Sequence, residues 1–481
     1  MSYLDYFKEI SMVPRASGDM ERISKYCEDF AKAKGLEYIR DKFNNVIIYK
    51  KATVGRENDK GVIIQAHLDM VAEKTPESNH DFSRDGLKLI EKDGYLTADG
   101  TTLGADDGIG VAYALEVLGS DTISHPDLTV VFTVDEEIGL NGMRDIDKSL
   151  IKGDYIINID NDIDGTIFAG SAGGRTLECN IPVVRENIDI QSGKGMEHVT
   201  IKVSGLKGGH SGAEIDKERA NANVIIGRVL YMLKSKVSVQ LVNINGGSKD
   251  NAIPRECTAD ILIDKTELNN VKALVKDMEE KLKSEFAHKD DGIKVDITYE
   301  EGNKNTIMAI DKESTDRVVN FMFLVPDGVF KKTFEPMYMV ETSSNMGIIN
   351  SLEKSVYITI SVRSNLGSGK DYLTDKIAGI LKMTGGTYEM KGDYPQWEYK
   401  ADSKLQQTFV KVYKELTGKE LKREAIHAGL ECGYLSTYNP NWDIISMGPA
   451  IYDIHTTEET MDLKSAEETF ELLMMVLKDI R

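Results

Sequence analysis

Apolar runs in this 481-residue chain repeatedly end in side chains able to hold a cation or move a proton. Val62-Ile63-Ile64-Gln65-Ala66 runs into His67-Leu68-Asp69, and Thr129-Val130-Val131-Phe132-Thr133-Val134 runs into Asp135-Glu136-Glu137. Tyr155-Ile156-Ile157-Asn158-Ile159 runs into Asp160, and Ile444-Ile445-Ser446-Met447-Gly448-Pro449 leads to Asp453 and His455. In open α/β sheets, sites collect beyond the carboxyl ends of the strands. His67 and Asp69 share a face of extended chain, which suits a carboxylate that orients a metal-ligating imidazole. Leu103-Gly104-Ala105-Asp106-Asp107-Gly108-Ile109-Gly110 opens a helix without the G-K-[ST] or G-x-G-x-x-G of a phosphate loop. Two acids there would repel phosphate, so Asp106 reads as a metal-bridging carboxylate. Asp107 stays open between that site and an acid favoured by a helix dipole.

Asp135-Glu136-Glu137 sets three acids side by side, which raise one another's pKa unless a cation lies among them. Extended alternation would send Glu136 and Glu137 in different directions, one to ligate and one to act as general base. The residues alone do not say which does which. Oxygen and imidazole donors without thiolates suit Zn, Mn or Co. Two such ions sharing a carboxylate form a hydrolytic site.

The elements that must position these groups follow from pattern. Residues 20–34 read as an amphipathic helix stopped by Gly35. Continuous apolar runs at 45–49, 62–66, 128–134 and 155–159 suit strands covered on both faces. A helix is expected over 109–118. The middle of the chain differs, with strands at 199–203, 237–244, 257–263, 293–299 and 355–362 and long helices at 221–234 and 266–287. The α/β pattern returns with a helix over 403–416, a strand over 444–447 and a helix over 465–480. One catalytic domain interrupted by a large α+β insertion is the simplest reading.

Composition narrows the class. The net charge of −20 argues against nucleic acid and against an anionic membrane surface as partner. No apolar run approaches a ~20-residue membrane span, and residues 1–15 lack the apolar core of a signal peptide. The four cysteines, Cys27, Cys179, Cys257 and Cys432, are far apart and form no CxxC pair. A reduced, cytoplasmic protein is expected.

These segments resemble the zinc-dependent aminoacyl-histidine dipeptidases, within the broader family of peptidase T, the carnosinases and the glutamate carboxypeptidases. The carrying motifs are Gln65-Ala66-His67-Leu68-Asp69-Met70-Val71, His80-Asp81-Phe82, the Asp99 to Gly110 turn and Thr133 to Gly139. Asn158-Ile159-Asp160, Ala172-Gly173-Gly174, Gly208-Gly209-His210-Ser211-Gly212, His427-Ala428-Gly429-Leu430-Glu431-Cys432-Gly433 and His455 complete them. They span nearly the whole chain in the family's order.

The resemblance implies an α/β/α sandwich catalytic domain of residues 1–173 plus 399–481, with a lid domain at 174–398. It implies two divalent ions, Zn with Co or Mn as alternatives. His67, Asp106 and Asp160 would hold one, and Asp106, Glu137 and His455 the other. Asp69 would orient His67, and Glu136 would be the general base acting on a water between the metals. His210 of the lid would contact the scissile carbonyl, from its own or a partner subunit. Arg363 would grip the substrate's C-terminal carboxylate, with Asn251 and Glu431 as further substrate contacts. The expected activity is hydrolysis of unblocked dipeptides, Xaa-His or broader, by a homodimer joined through the lid. A tripeptidase or an N-acyl amino acid amidohydrolase is the nearer alternative. A catalytically silent metal-binding scaffold is the farther one, disfavoured by Glu136 standing beside a full ligand set. Asp107 stands where many relatives carry Asn, and Ser171 where Cys is frequent; both bear on substrate preference.

Overall fold

A computed structural model describes residues 1–190, 195–299, 306–333 and 339–481. The chain forms two compact units, Met1–Ser171 with Gln396–Arg481, and Ala172–Pro395.

The first unit is built on an eight-stranded sheet. Its order is Glu37–Arg40, Val46–Lys50, Leu128–Thr133, Val62–His67, Tyr155–Asn158, Asp443–Ser446, Thr166–Ser171, Lys422–Ile426. The four central strands, from Leu128–Thr133 to Asp443–Ser446, run parallel. Every residue of Val62–His67 and Leu128–Thr133 is buried, as their continuous β-branched character requires. Alternate residues serve different cores, because successive side chains leave opposite faces of a strand. Ile48, Ile64 and Val130 pack with Phe7, Ile23, Phe30, Tyr113 and Phe470. Ile47, Ile63 and Val131 pack with Met143, Trp397, Leu435 and Trp442. Helices Tyr3–Ser11, Glu21–Lys34, Ala105–Gly119, Lys404–Thr417 and Leu463–Asp479 cover the first face, and Asn141–Asp145 and Cys432–Tyr438 the second. This is the α/β/α sandwich expected from the sequence.

Local signals set the helix ends. Gly35 closes Glu21–Lys34 at φ 66°, a left-handed position that suits glycine. Ser403 and Asp462 cap helices Lys404–Thr417 and Leu463–Asp479 by accepting backbone N–H groups. The helix expected at 109–118 starts earlier, at Ala105, but Asp106 and Asp107 leave helical φ/ψ and are joined by a cis peptide.

The second unit has its own antiparallel sheet, with helices Ala222–Lys234, Leu268–Glu285, Lys312–Leu324 and Gly367–Met383 sharing one core with it. Strand Met196–Ser204 alternates buried and half-buried residues along its whole length, as a sheet with one packed face demands. The expected strand at 237–244 begins only at Gln240, because Lys236 and Val237 still donate to Leu233 of the preceding helix. The unit's limits also differ from 174–398. Ser171 and Trp397 exchange backbone hydrogen bonds of 2.9 and 3.0 Å within the first unit. The next strand, Gly173–Pro182, already belongs to the second sheet.

Candidate metal centre

The carboxyl ends of the parallel strands in the first unit bring five of the expected ligands together. His67 closes Val62–His67 and is buried. Its Nε2 lies 3.1 Å from Asp106 Oδ1 and 3.9 Å from Asp160 Oδ1. His455, in the loop between the short strands Ile451–Tyr452 and Thr460–Asp462, directs Nε2 to Asp106 Oδ2 at 3.2 Å and to Glu137 Oε2 at 3.1 Å. Asp106 thus turns one oxygen to each imidazole, and each imidazole has a second carboxylate. The donor atoms of His67, Asp106 and Glu137 lie within 4.8 Å of one another. Glu137 Oε1 is buried with no hydrogen-bond partner among the described residues. A buried, orphaned carboxylate oxygen beside imidazole and carboxylate donors fits a divalent cation.

The charges agree with this crowding. Burial works against a charged His67 ring, yet the Asp106 and Asp69 carboxylates outweigh it and raise its pKa. His455 is pushed up to about 11 against its burial, by Asp106 and Glu137. Burial opposes ionisation of Asp106, but the two imidazoles hold its pKa below the usual carboxylate range. Glu136 and Asp160 go the other way: burial raises them, and neighbouring carboxylates add to it.

The turn carrying Glu136 and Glu137 is not the alternating strand expected. Asp135 has φ 54°, so the chain reverses and both glutamate amides turn toward Asp69. Glu136 N–H donates to Asp69 Oδ1 at 3.0 Å and Glu137 N–H to Oδ2 at 3.2 Å. Ser17 Oγ adds a third donor at 2.8 Å. Asp69 also faces the His67 ring, with Nδ1 3.1 Å from its carbonyl oxygen and 3.6 Å from its carboxylate. One residue therefore orients the imidazole and anchors the acidic turn.

Glu431, expected among the substrate contacts, is instead fully buried. It accepts hydrogen bonds from Gln65 Nε2 and, at 2.6 Å, Thr133 Oγ1. Burial pushes it up to about 7. Asn158 Nδ2 donates to Gln65 Oε1 at 2.6 Å, so a polar chain crosses the ends of three strands beneath the ligands.

Several supporting residues escape a reading of the sequence. Glu459 is buried and accepts four backbone N–H groups: Leu103 and Gly104 on Oε2 at 2.8 and 2.9 Å, Ala105 and Asp106 on Oε1 at 2.8 and 3.4 Å. It holds the turn that presents Asp106, from four residues beyond His455. Arg15 ties the same turn to the His67 loop, donating to the carbonyls of Gly104, Leu68 and Asp69. Asp107 faces inward and accepts the His67 amide at 3.1 Å. The available signals were polar residues inside apolar runs, such as Gln65 and Asn158, and an acid just beyond a candidate ligand.

Within the second unit, His210 and Asn251 are neighbours. Gly209–His210 pairs with Ala252–Ile253, and Ser211 N–H donates to the Asn251 carbonyl at 2.8 Å. His210 Nδ1 accepts the amides of Gly212 and Ala213 at 3.2 and 3.0 Å. That fixes the neutral ring's proton on Nε2. The Asp250 carbonyl accepts Ser361 Oγ at 2.9 Å, which pins the Asn251 loop to Ser355–Ser364, the strand carrying Arg363. Of the remaining histidines, His80 packs edge-on against Phe82, His125 is a buried loop residue and His288 is exposed.

A centre of carboxylates and imidazoles at the strand ends of an α/β/α sandwich has the donors of a divalent-metal hydrolytic site. Residues 63–479 match the model of peptidase family M20/M25/M40. The chain is 35% identical over 476 residues to the cytosol non-specific dipeptidase of Escherichia coli, covering 99% of this chain and 97% of that protein. Among solved structures, the aminoacylhistidine dipeptidase of Vibrio alginolyticus superposes with a TM-score of 0.91 at 32% identity, over 100% of this chain and 96% of that one. The aminopeptidase PepT of Bacillus cereus shares the fold, with a TM-score of 0.57 at 16% identity over 99% and 97% of the two chains. The chain belongs to peptidase family M20/M25/M40 and is a hydrolase of peptide bonds.

Proposed function

We propose that the chain is a cytoplasmic di-metal dipeptidase acting on unblocked dipeptides. The observation that carries this is Asp106, with one oxygen toward His67 and the other toward His455. His67, Asp106 and Asp160 would hold one cation, and Asp106, Glu137 and His455 the other. Two such ions, zinc in our reading with cobalt or manganese as alternatives, would lower the pKa of a bound water and polarise the substrate carbonyl. Glu136 takes the proton from the attacking water and returns it to the leaving amine. Asp69 keeps base and ligand on one anchored turn.

The Ala172–Pro395 unit serves as the lid. His210, from its own or a partner subunit, would contact the scissile carbonyl or the developing oxyanion, while Arg363, with Asn251, would take the C-terminal carboxylate. The homodimer contact is assigned to the same unit. Its exposed face with Tyr231 stacked on Phe323 at 3.8 Å, beside Leu324, supports this, and light scattering on the purified protein tests it. Likeness to a cytosol non-specific dipeptidase and to an aminoacylhistidine dipeptidase supports a broad dipeptide range that includes Xaa-His, and a cytoplasmic location. No helix among the described residues is long and apolar enough to cross a membrane.

Elemental analysis joined to turnover tests the reading. About two metals per chain are expected, with chelator-sensitive cleavage of Leu-Gly and β-Ala-His. Faster turnover of Ala-Ala-Ala or of N-acetyl-alanine would replace it by a tripeptidase or an amidohydrolase.

A further inference from the structure

Three strands of the second unit meet in one row at Gly174. Its register partners are Arg363 on Ser355–Ser364 and Tyr394 on Thr387–Tyr394. A Cβ at Gly174 would overlap the Tyr394 hydroxyl, so the missing side chain opens a path across the middle strand. Tyr394 uses it: Arg363 Nη1 donates to its hydroxyl at 2.7 Å. Lys370 secures the tyrosine from behind. Its buried ammonium donates to the Tyr394 carbonyl at 2.7 Å and to Asp393 at 2.8 Å. Asp393 in turn meets Arg175 Nε at 3.3 Å.

Arg363 Nε is buried and takes no partner among the described residues. With Nη1 committed to Tyr394, the Nε–Nη2 edge is left over, and that edge can meet a carboxylate with two parallel bonds. We propose that Tyr394 is a positioning residue that fixes the Arg363 fork so that its Nε–Nη2 edge reads a substrate carboxylate, giving the enzyme its demand for a free C-terminus. The inference rests on the reading of Arg363 as the carboxylate clamp. Gly174 and Lys370 are parts of the same device.

Steady-state kinetics on Leu-Gly and on leucylglycine amide test it. For Tyr394→Phe, KM for Leu-Gly is expected to rise about tenfold with kcat within twofold, and the amide to be handled as by the parent. An unchanged KM for Leu-Gly overturns the proposal. So does an equal loss on dipeptide and amide, since that marks general damage. Arg363→Met keeps the two readings apart: it should abolish the preference for dipeptide over amide. If it does not, the clamp itself is misassigned; if it does while Tyr394→Phe has no effect, only the role of Tyr394 falls.

Discussion

Glu459→Gln tests whether the bridging aspartate is held by a carboxylate outside the ligand set. The four amides it binds belong to consecutive residues, Leu103 to Asp106, two on each oxygen. Glutamine keeps the volume and one acceptor. Whichever way its amide turns, an NH2 group meets two N–H donors that had an acceptor before. Hydrogen bonds to a charged group are worth ~1.5–3 kcal/mol each, so losing two costs about 3–6 kcal/mol. For a unit of this size that lowers Tm by on the order of 10 °C. The same turn presents Asp106, and outer partners of metal ligands commonly carry 10–100-fold in affinity. Zinc affinity, measured by competition with a chelating dye on stripped protein, is therefore expected to weaken about 10–100-fold. Asp462→Ala is the control. It removes a cap that accepts Lys464 and Ser465 amides, costs ~1 kcal/mol, and leaves the 103–106 amides untouched, so zinc should bind as before. If Glu459→Gln loses stability yet binds zinc like the parent, the turn holds its shape unaided and the reasoning is wrong.

Other outcomes follow from the same geometry. Glu136→Gln should lower kcat by about 10²–10⁴ with metal content unchanged; parent-like turnover would refute its role as base. Chelation should abolish activity and lower Tm, and added zinc, cobalt or manganese should restore both. Saturation at a thousand times Kd is worth ~4 kcal/mol, and an unmoved Tm would count against a resident metal. In the second unit, burial pushes Asp327 up to about 7, although Met346 N–H and Asn221 Nδ2 pull it down. Folding therefore favours its protonated form. The folded chain keeps this proton between about pH 4 and 7 while the unfolded chain loses it, so Asp327's contribution to stability falls as pH rises through that window and levels off above it. Asp327→Asn should flatten the fall in thermal unfolding series from pH 4.5 to 8, and an identical slope in both proteins would refute the assignment.

The strand ends were legible because the apolar runs before them were unmistakable: a fully buried parallel strand has almost no polar residues, so His67, Asp135 and Asp160 stood out where each run stopped. Two kinds of element were not. Gly173–Pro182 alternates only from Thr176 to Ile181, with Leu177, Cys179 and Ile181 buried, and opens on two buried glycines that carry no pattern. Thr387–Tyr394 lies exposed at the sheet edge for nearly its whole length, and without burial no periodicity is imposed on its sequence. Alternation also misled at Glu136 and Glu137, because a single left-handed residue, Asp135, turns the chain before the pattern can apply.

The supporting shell was illegible for a different reason. A ligand announces itself by its type, but its holder is defined by a partner hundreds of residues away. Glu459 reads as one more acid in Thr456-Thr457-Glu458-Glu459 until the fold brings the amides of 103–106 against it. Arg15 reads as a loop charge until Gly104 and Leu68 close over it. Gln65 is the exception. An amide inside Val-Ile-Ile-Gln-Ala-His cannot be buried without partners, so it required a polar chain across the neighbouring strands. Asn158, Thr133 and Glu431 are that chain. Glu431 belongs under the metal centre on this argument, and its place in a glycine-containing motif, which suggested substrate, reflects the packing of the turn that delivers it there.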